Sequence, residues 1–478
     1  MPGTRSAAAL DAIVVGGGPN GLAAAIELAR AGRSVRIVEA EPTLGGGARS
    51  AELTLPGFIH DVCSAVHPLA QASPFFRATD LARHGLAWVH PEAPVGHALE
   101  PGRAVVLERD LAAAADALGA DGAAWRRLVG GPVRDWATLL PELLGPVLHL
   151  PRHPVALARF GLPALLSATA LGRLAFRGPE ARALFAGCAA HAIVPLERPL
   201  TAAFGLVLAI LAHATGWPFA RGGSGAIVAA LAAEATALGV EIVTGTRVRS
   251  LAEMPPARAV VLDLVPRDVV ALAGDRLTPR ARARLLRWRH GPGAYKLDWA
   301  LDGPIPWRDP ALLRAGTVHL GGTAGEVAAA EAAVAAGRIP ERPFVLLAQP
   351  TLADPTRAPA GRHIGWAYCH VPHGSTTDMT GAIESQVERF APGFRDRILA
   401  RHAADPAALE RRHARYVGGD INGGIADIRQ LVFRPLPRRD PYRLPGDGLW
   451  ICSAATPPGG GGHGMGGRNA ARSVLRAR

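Results

Sequence analysis

The 478 residues carry 52 lysine and arginine side chains against 40 aspartates and glutamates, which gives a formal net charge of +12. This length favours two domains over a single core. The cations are scattered along the chain and are not grouped with aromatic residues, so we expect no nucleic-acid partner. The four cysteines lack the CxxC spacing of a zinc site, which predicts no metal centre and a reducing compartment. No signal-peptide pattern precedes the first strand, so we expect a cytoplasmic protein.

The clearest pattern runs from Ala12 to Ala40 and combines a strand, a glycine turn, a helix and a second strand. The apolar run Ala12–Val15 predicts a buried strand, Leu22–Ala31 predicts a helix, and Val35–Val38 predicts the next strand. Three glycines in G-x-G-x-x-G spacing follow the first strand, at Gly16, Gly18 and Gly21. This order is the context in which the spacing indicates a dinucleotide-binding site.

Each residue of this pattern has a physical role in binding a dinucleotide. Gly16 allows the tight turn, Gly18 lets a pyrophosphate approach the backbone, and Gly21 lets the helix pack close to the strand. Glu39 would accept hydrogen bonds from ribose hydroxyls, and its charge would repel the 2′-phosphate of NADP. Asn20 lies inside the motif, so we interpret it as adjacent to the cofactor.

A glycine cluster at Gly45–Gly47 soon follows the second strand and is not part of the NAD fingerprint. It predicts a cofactor that continues past the pyrophosphate. The segment Phe58–Pro68 then predicts a strand and a turn that end the first lobe.

From Leu81 to Pro218, short predicted strands at Ala87–His90 and Ala104–Leu107 give way to Ala/Leu-rich stretches that predict an inserted helical domain. Within it, Leu200–Ala214 is apolar almost all round. This segment is too short for a membrane span, which needs ~20 residues. Three interpretations stay open for it: a buried core helix, the wall of a substrate tunnel, and a face that dips into a membrane.

The α/β pattern returns between Arg221 and Leu264, with a helix predicted at Ala226–Leu238. Strands are predicted at Val240–Val243, Thr246–Leu251 and Ala259–Leu264. We assign this block to the nucleotide-binding domain, which makes that domain discontinuous in sequence.

Lys296 is the only lysine in the chain, which otherwise uses arginine for its cations. A buried lysine can lose its proton and arginine cannot, so a position that keeps lysine is a candidate for chemistry. It lies on a strand predicted at Tyr295–Leu301. Cys369, His370 and His373 could also indicate a metal site, but their place on another predicted strand favours a structural role.

The end of the chain contains a second glycine-rich motif. A strand is predicted within Gly448–Thr456, a proline- and glycine-rich loop occupies Pro457–Gly467, and a helix is predicted at Arg468–Arg476. So many glycines before a helix indicate backbone that presses against a flat group. The positive end of the helix could stabilise negative charge on a reduced flavin.

The fingerprint, the segments GGGARS and HDVCSAVHP and the terminal GLWICSAATPPGGGGHGMGGRNAA together resemble the phytoene desaturase-like FAD oxidoreductases. That group includes carotenoid desaturases, carotenoid isomerases and retinol saturase. The resemblance implies an α/β fold in which a discontinuous Rossmann-type FAD-binding domain (residues 1–80, 219–290 and 436–478) joins a mixed α+β substrate-binding domain (residues 81–218 and 291–435).

The same resemblance implies which residues contact FAD. The glycine motif would bind the pyrophosphate, Glu39 the ribose, Val248 the adenine, and the later segments the ribityl chain and the isoalloxazine ring. The implied set is Gly16, Gly18, Pro19, Asn20, Gly21, Glu39, Ala40, Gly46, Gly47, Arg49, Ser64, Ala65, Val66, His67, Val248, Ser453, Gly462, His463, Gly464 and Met465.

A second likeness concerns the segment GPGAYKLDWALDGPIPW, which is similar to the flavin amine oxidase strand whose lysine holds a water near flavin N5. It implies that Lys296 is a catalytic residue close to the flavin. The end of the chain departs from the amine oxidase pattern, because no tyrosine is placed there to form the aromatic cage of those enzymes.

We therefore expect a non-covalent FAD enzyme that moves hydride to or from carbon–carbon bonds of an apolar, polyene or isoprenoid-like substrate. The alternatives are a flavin-dependent amine oxidase, a redox-neutral isomerase and a non-catalytic prenyl carrier of the same fold. The net positive charge is compatible with peripheral attachment to an anionic membrane. The sequence leaves the oligomeric state open.

Overall fold

The computed structural model describes residues 9–477. Its strands are β1 Leu10–Val15, β2 Val35–Val38, β3 Ser50–Glu52, β4 Ile59–Asp61, β5 Trp88–Val89, β6 Ala93–Leu99, β7 Arg103–Leu107, β8 Phe219–Ala220, β9 Glu241–Val243, β10 Ala257–Leu262, β11 Gly293–Leu301, β12 Ala315–Leu320, β13 Val345–Ala348, β14 His363–Val371, β15 Ile398–Ala404 and β16 Leu449–Ile451.

The α-helices are α1 Pro19–Arg30, α2 Pro68–Ala72, α3 Pro74–Arg77, α4 Leu111–Ala117, α5 Gly122–Arg134, α6 Trp136–Leu143, α7 Pro154–Ala164, α8 Ala168–Ala175, α9 Pro179–Ala190, α10 Thr201–Ala214, α11 Gly225–Ala237, α12 Pro266–Ala273, α13 Pro279–Leu286, α14 Ala324–Ala335, α15 Pro350–Ala353, α16 Thr380–Phe390, α17 Pro406–Arg412, α18 Ile428–Phe433 and α19 Met465–Arg476.

A five-stranded parallel sheet in the order β16-β10-β1-β2-β9 carries the glycine motif. Its central residues are apolar and buried, as is usual when helices cover a parallel sheet, whereas the edge strand β9 is partly exposed. Helix α1 packs against β1 and β2, and α11 and α19 pack on α1. The sheet is thus assembled from chain segments near both ends and in the middle of the sequence.

The second large sheet is mixed and has seven strands in the order β15-β11-β14-β13-β12-β6-β7. Its neighbours are antiparallel except for β12 and β6. The long strand β11, which carries Lys296, is paired on both sides, with β14 and with β15. Being interior to the sheet, β11 holds its side chains in a fixed direction.

Helix α10 settles the interpretation of the apolar segment 200–214. It packs against α5, α7, α8 and α9, and most of its residues are buried. None of its residues lines either of the two cavities described below. This packing supports the first of the three open interpretations, a buried core helix.

None of the described helices is by itself long and apolar enough to cross a bilayer. Helices α7 and α8 reach that length and hydropathy together, but only across a bend of 99°.

One predicted strand is absent from the structure, and others have different bounds. Residues 246–250 form no strand, because Gly245 and Thr246 donate their N–H groups to the carbonyls of Glu41 and Glu39 and lead the chain over the end of β2. The strand predicted at Ala87–His90 shortens to β5, and the one predicted within Gly448–Thr456 shortens to β16.

Candidate active site

A polar cavity lies at the carboxyl ends of β1, β2 and β10. Its wall includes Gly16, Gly18, Glu39, Ala40, Gly46, Arg49 and Val248 from the implied FAD set. Gly16 has a φ of +103°, and a Cβ there would lie 2.9 Å from the carbonyl oxygen of Asp263. Only glycine fits both requirements, which is why the chain can turn here into α1.

Glu39 stands at the end of β2, where its carboxylate is fixed by backbone donors. One oxygen accepts from the N–H of Gly17 at 2.6 Å, and the other accepts from the N–H of Glu41 at 2.9 Å. The carboxylate remains on the wall of the polar cavity. It is therefore oriented before any ligand binds.

Arg49 shapes the loop that precedes it. Its guanidinium donates to the carbonyls of Thr43 at 2.7 Å and Leu44 at 3.3 Å. Gly45 and Gly46 in this loop have φ angles of +127° and +55°. The arginine thus holds a glycine turn against the polar cavity, and two of its nitrogen atoms donate to backbone carbonyls.

A second, more apolar cavity lies between the two sheets. From the implied set, its wall includes Pro19, Asn20, Gly47, Ser64, Ala65, Val66, His67, Lys296, Ser453 and Gly462. The seven-stranded sheet adds Ala294, Leu346, Trp366 and Tyr368.

The segment from Ser64 to His67 is positioned by a buried ion pair that the sequence analysis missed. Asp61 accepts from Arg357 at 2.8 Å, and both side chains are fully buried. The second oxygen of Asp61 accepts from the N–H of Ser224 at 2.6 Å. The Ser224 hydroxyl lies 2.8 Å from Nε2 of His67, and burial lowers the pKa of that histidine to about 4. His67 is therefore neutral on the cavity wall.

Lys296 reaches the apolar cavity from β11 and forms a buried ion pair with Asp298. The ammonium also lies 5.7 Å from the ring centre of Trp366. Asp298 has two histidine neighbours, with His402 Nδ1 at 3.4 Å and His60 Nδ1 at 3.6 Å. Burial raises the pKa of Asp298, but Lys296 and the two histidines outweigh burial, so the net shift is downward.

Asp298 was within reach of sequence analysis, because side chains two apart on a strand share a face. His60 and His402 come from distant strands, and no sequence signal connected them to Lys296. Lys296 therefore lines the cavity and is at the same time paired with a carboxylate.

Four residues of the implied set lie outside both cavity walls: Gly21, His463, Gly464 and Met465. Gly21 donates its N–H to Asp263 at 3.1 Å. His463 is buried behind the wall, where its carbonyl accepts from Ser73 at 2.8 Å and its Nδ1 accepts from Met465 at 3.1 Å. These residues shape the start of α19 and contact the cavities only through their neighbours.

The segment from His413 to Tyr416 supplies cavity residues that sequence analysis did not identify. His413 and Arg415 line both cavities, and Tyr416 lines the apolar one. A Cβ at Gly47 would overlap the hydroxyl of Tyr416. No local pattern marks this segment, since it reaches the glycine turns only through the fold.

The two cavities fit the parts of FAD. The polar cavity offers a fixed carboxylate, a helix N-terminus and glycine turns to an adenosine diphosphate moiety, as dinucleotide sites do. The apolar cavity, beyond the same turns, has the flat glycine backbone of residues 459–462 for a ring system. The residues present therefore suit the cofactor that the sequence implies.

Known proteins agree with this assignment. Residues 20–364 match the model of the flavin containing amine oxidoreductase family. A phytoene dehydrogenase of Streptomyces griseus is 30% identical over 442 residues, which cover 86% of this chain and 80% of that protein. The pyridine nucleotide-disulfide oxidoreductase domain-containing protein 2 of Rattus norvegicus is 27% identical, with 98% of this chain and 93% of that protein covered.

Solved structures share the fold. An oxidoreductase from Methanosarcina mazei superimposes with a TM-score of 0.65 at 17% identity, covering 97% of this chain and 99% of the other. Putrescine oxidase bound to putrescine gives a TM-score of 0.62 at 18% identity, with coverage of 98% and 99%. The family match spans most of the chain and the cavities suit the cofactor, so the protein belongs to the flavin-containing amine oxidoreductase family and is an FAD-dependent oxidoreductase.

Proposed function

We propose that this enzyme transfers hydride between FAD and a carbon–carbon bond of an apolar, polyene or isoprenoid-like substrate. The observation that carries the proposal is the charge of the apolar cavity. Among the residues described from 9 to 477, no aspartate or glutamate lines it, and its charged side chains are Lys296 and Arg415. An ammonium substrate would find no carboxylate to pair with there, whereas a neutral chain would meet aliphatic and aromatic walls.

In this proposal FAD, when bound, supplies the hydride chemistry. Trp366, Tyr368 and Leu346 exclude water from the substrate. Lys296 holds a proton at Nζ on the cavity wall, and Asp298 balances its charge. A charged donor in an apolar site can stabilise negative charge that develops on a substrate carbon.

Amine oxidation is the second candidate, and a specific observation favours it. Trp366, Tyr368 and Tyr416 all line the apolar cavity, so aromatic side chains surround it although none comes from the end of the chain. Aromatic faces attract cations. The absence of a lining carboxylate among the described residues leaves this candidate weaker.

Anaerobic reduction of the purified, flavin-loaded enzyme distinguishes carbon–carbon bond chemistry from amine oxidation. We expect a polyene or a partly saturated isoprenoid to change the absorbance of the flavin. With reduced flavin, we expect the absorbance of the polyene or isoprenoid itself to change. Primary amines should leave the flavin absorbance unchanged. Lys296→Met combined with Asp298→Asn, which leaves no unpaired buried charge, should slow the absorbance change with the polyene or isoprenoid without releasing the flavin. Flavin bleaching by amines, with hydrogen peroxide formed in air, would overturn the proposal and select amine oxidation.

We also propose that an apolar surface between residues 147 and 174 rests on an anionic bilayer, from which such a substrate would come. Leu150 and Leu174 are 93% and 76% exposed, and the same surface exposes Val147, Leu148, Val155, Leu162 and Leu165. Residues 145–177 contain four arginines and no acidic residue. Apolar side chains among arginines are typical of interfacial helices.

Sedimentation with vesicles tests this surface. We expect the protein to bind vesicles that contain anionic lipid more strongly than neutral ones. The triple change Leu150→Ser, Leu162→Ser and Leu174→Ser should weaken binding by about tenfold, since each leucine contributes buried CH₂ groups. The matched control changes the exposed Leu286, Leu399 and Ile428 to serine. Equal loss in both triples, or none in either, would contradict the proposal.

A further inference from the structure

Arg415 stands at the junction of the two cavities. Of the described residues, only His413 and Arg415 line both the polar and the apolar cavity. The arginine follows α17 and its side chain is 16% exposed. In a dinucleotide such as FAD, the pyrophosphate joins the adenosine half to the flavin half. A residue that lines both cavities therefore lies beside the position expected for the pyrophosphate.

The guanidinium of Arg415 uses part of its hydrogen-bonding capacity within the protein. Nη1 is paired with Asp263, and Nε donates to His413 at 3.2 Å. Nη2 has no hydrogen-bond partner among residues 9–477 and faces the two glycine turns. A Cβ at Gly46 would lie 2.7 Å from Nη2, and a Cβ at Gly18 would overlap it. The free donors thus point between the fingerprint turn and the loop after β2.

Charge balance also calls for a cation here. Asp263 is buried and accepts the N–H of Gly21, one of the donors at the start of α1. Pro19, in the first turn of α1, has no N–H to offer. A pyrophosphate at this helix start would therefore lie close to a buried carboxylate. Arg49, another arginine on the polar wall, donates to backbone carbonyls instead.

We propose that Arg415 is the cationic ligand of the FAD pyrophosphate and at the same time the counter-ion of Asp263. A guanidinium suits this double role because it is planar, always charged and has five N–H donors. Nη1 keeps the carboxylate neutralised while Nη2 donates to a phosphate oxygen. The inference concerns the cofactor and holds whatever the substrate is.

The test compares flavins with and without a pyrophosphate. Purified protein is stripped of flavin and titrated with FAD or with riboflavin, with flavin fluorescence as the readout. Arg415→Gln should weaken FAD binding by at least about tenfold, as expected for the loss of charge-assisted hydrogen bonds to phosphate, and should change riboflavin binding by less than about twofold. Arg415→Lys should retain part of the FAD affinity, because lysine keeps the charge without the planar fork.

Two controls accompany this comparison. Arg412→Gln removes the same charge from an exposed position three residues away and should leave FAD binding unchanged. ADP, which has the pyrophosphate and no flavin, should lose affinity for Arg415→Gln by the same factor as FAD. Circular dichroism of the flavin-free variants establishes that each one is folded.

A double variant checks the role of Asp263. In Arg415→Gln the carboxylate loses its counter-ion, so adding Asp263→Asn should restore part of the FAD affinity. Unchanged or tighter FAD binding by Arg415→Gln would mean that the guanidinium obstructs the groove, and the inference would fall. An equal loss for FAD and riboflavin would also overturn it, because the effect would then come from cavity shape.

Discussion

The polar and the apolar cavity differ in how much of each is local in sequence. Most of the motif residues on the polar wall fall between residues 15 and 49, in one strand–helix–strand unit. The apolar wall draws on segments from Pro19 to Gly462, including strands of the other sheet. The residues that identify the cofactor half of the site therefore lie close together in sequence, although residues 246–272 and 413–415 complete its wall. The apolar cavity, which suits a substrate, is formed by segments that are distant in sequence.

The largest expected effect concerns the apolar cavity. Asp298→Asn would leave the buried ammonium of Lys296 without its carboxylate. Removal of one partner of a buried ion pair costs about 3–5 kcal/mol. We expect urea unfolding of the flavin-loaded protein to show a loss of this size, which Lys296→Met in the same chain should largely restore.

The control for this pair is Arg36 with Glu241, whose side chains are 29% and 52% exposed. Glu241→Gln should cost no more than about 1 kcal/mol. A similar small cost for Asp298→Asn would show that Lys296 is not confined to the apolar cavity as described.

A somewhat smaller effect is expected on the polar side. A Cβ at Gly21 would overlap the carbonyl oxygen of Gly16, so Gly21→Ala must shift the fingerprint turn. Overpacking of this kind costs about 1–3 kcal/mol. We expect the variant to lose FAD during purification and to unfold earlier, as measured by the ratio of flavin to protein absorbance and by thermal unfolding.

Gly381→Ala is the matched change in α16, where an added Cβ meets nothing within 4 Å. It should keep its flavin and should be as stable as the parent or slightly more so. If both alanine variants behave alike, the close contact at Gly21 has no bearing on the cofactor.

The smallest effect is a pH dependence on the apolar side. Burial lowers the pKa of His67 to about 4 in the folded protein, from the ordinary histidine value of 6.5. As the pH falls from 6.5 to 4, the unfolded chain takes up this proton and the folded chain does not, so stability is lost in that window. One such group lowers the free energy of unfolding by up to about 1.4 kcal/mol for each pH unit in that window.

His67→Gln keeps a hydrogen-bonding side chain beside Ser224 and removes the titrating group. We expect its unfolding free energy to fall less steeply between pH 6.5 and 4, and to match the slope of the parent above pH 7, where the histidine is neutral in both states. An unchanged slope at acid pH would mean that His67 accepts its proton without unfolding.

Local patterns predicted much of the fold well. The strands and helix around Gly16 follow from contiguous apolar runs and glycine spacing, so the sequence alone specifies them. Thr246–Leu251 has an alternating pattern typical of a strand, yet its backbone is drawn over the end of β2 by hydrogen bonds to Glu39 and Glu41. At this segment, tertiary hydrogen bonds overrode the local propensity to form a strand.

Apolar periodicity also could not decide between burial and exposure. Helix α10 is the most apolar in composition and is enclosed by four other helices. Most of the exposed leucines lie instead on the segment from Val147 to Leu174, which the sequence analysis did not single out. Which apolar surface is left uncovered depends on how helices pack, and no single segment encodes that.

By itself, the sequence determined the nucleotide fingerprint, the carboxylate at Glu39, the glycine-rich end of the chain and the singular position of Lys296. Each of these depends on backbone conformation or residue choice within a few positions. Only the tertiary structure decided the histidine neighbours of the Lys296–Asp298 pair, the place of Arg415 beside Asp263 and the charge of the apolar cavity. The physical reason is that electrostatic and packing contacts act through space, and in this fold they join residues more than 100 positions apart.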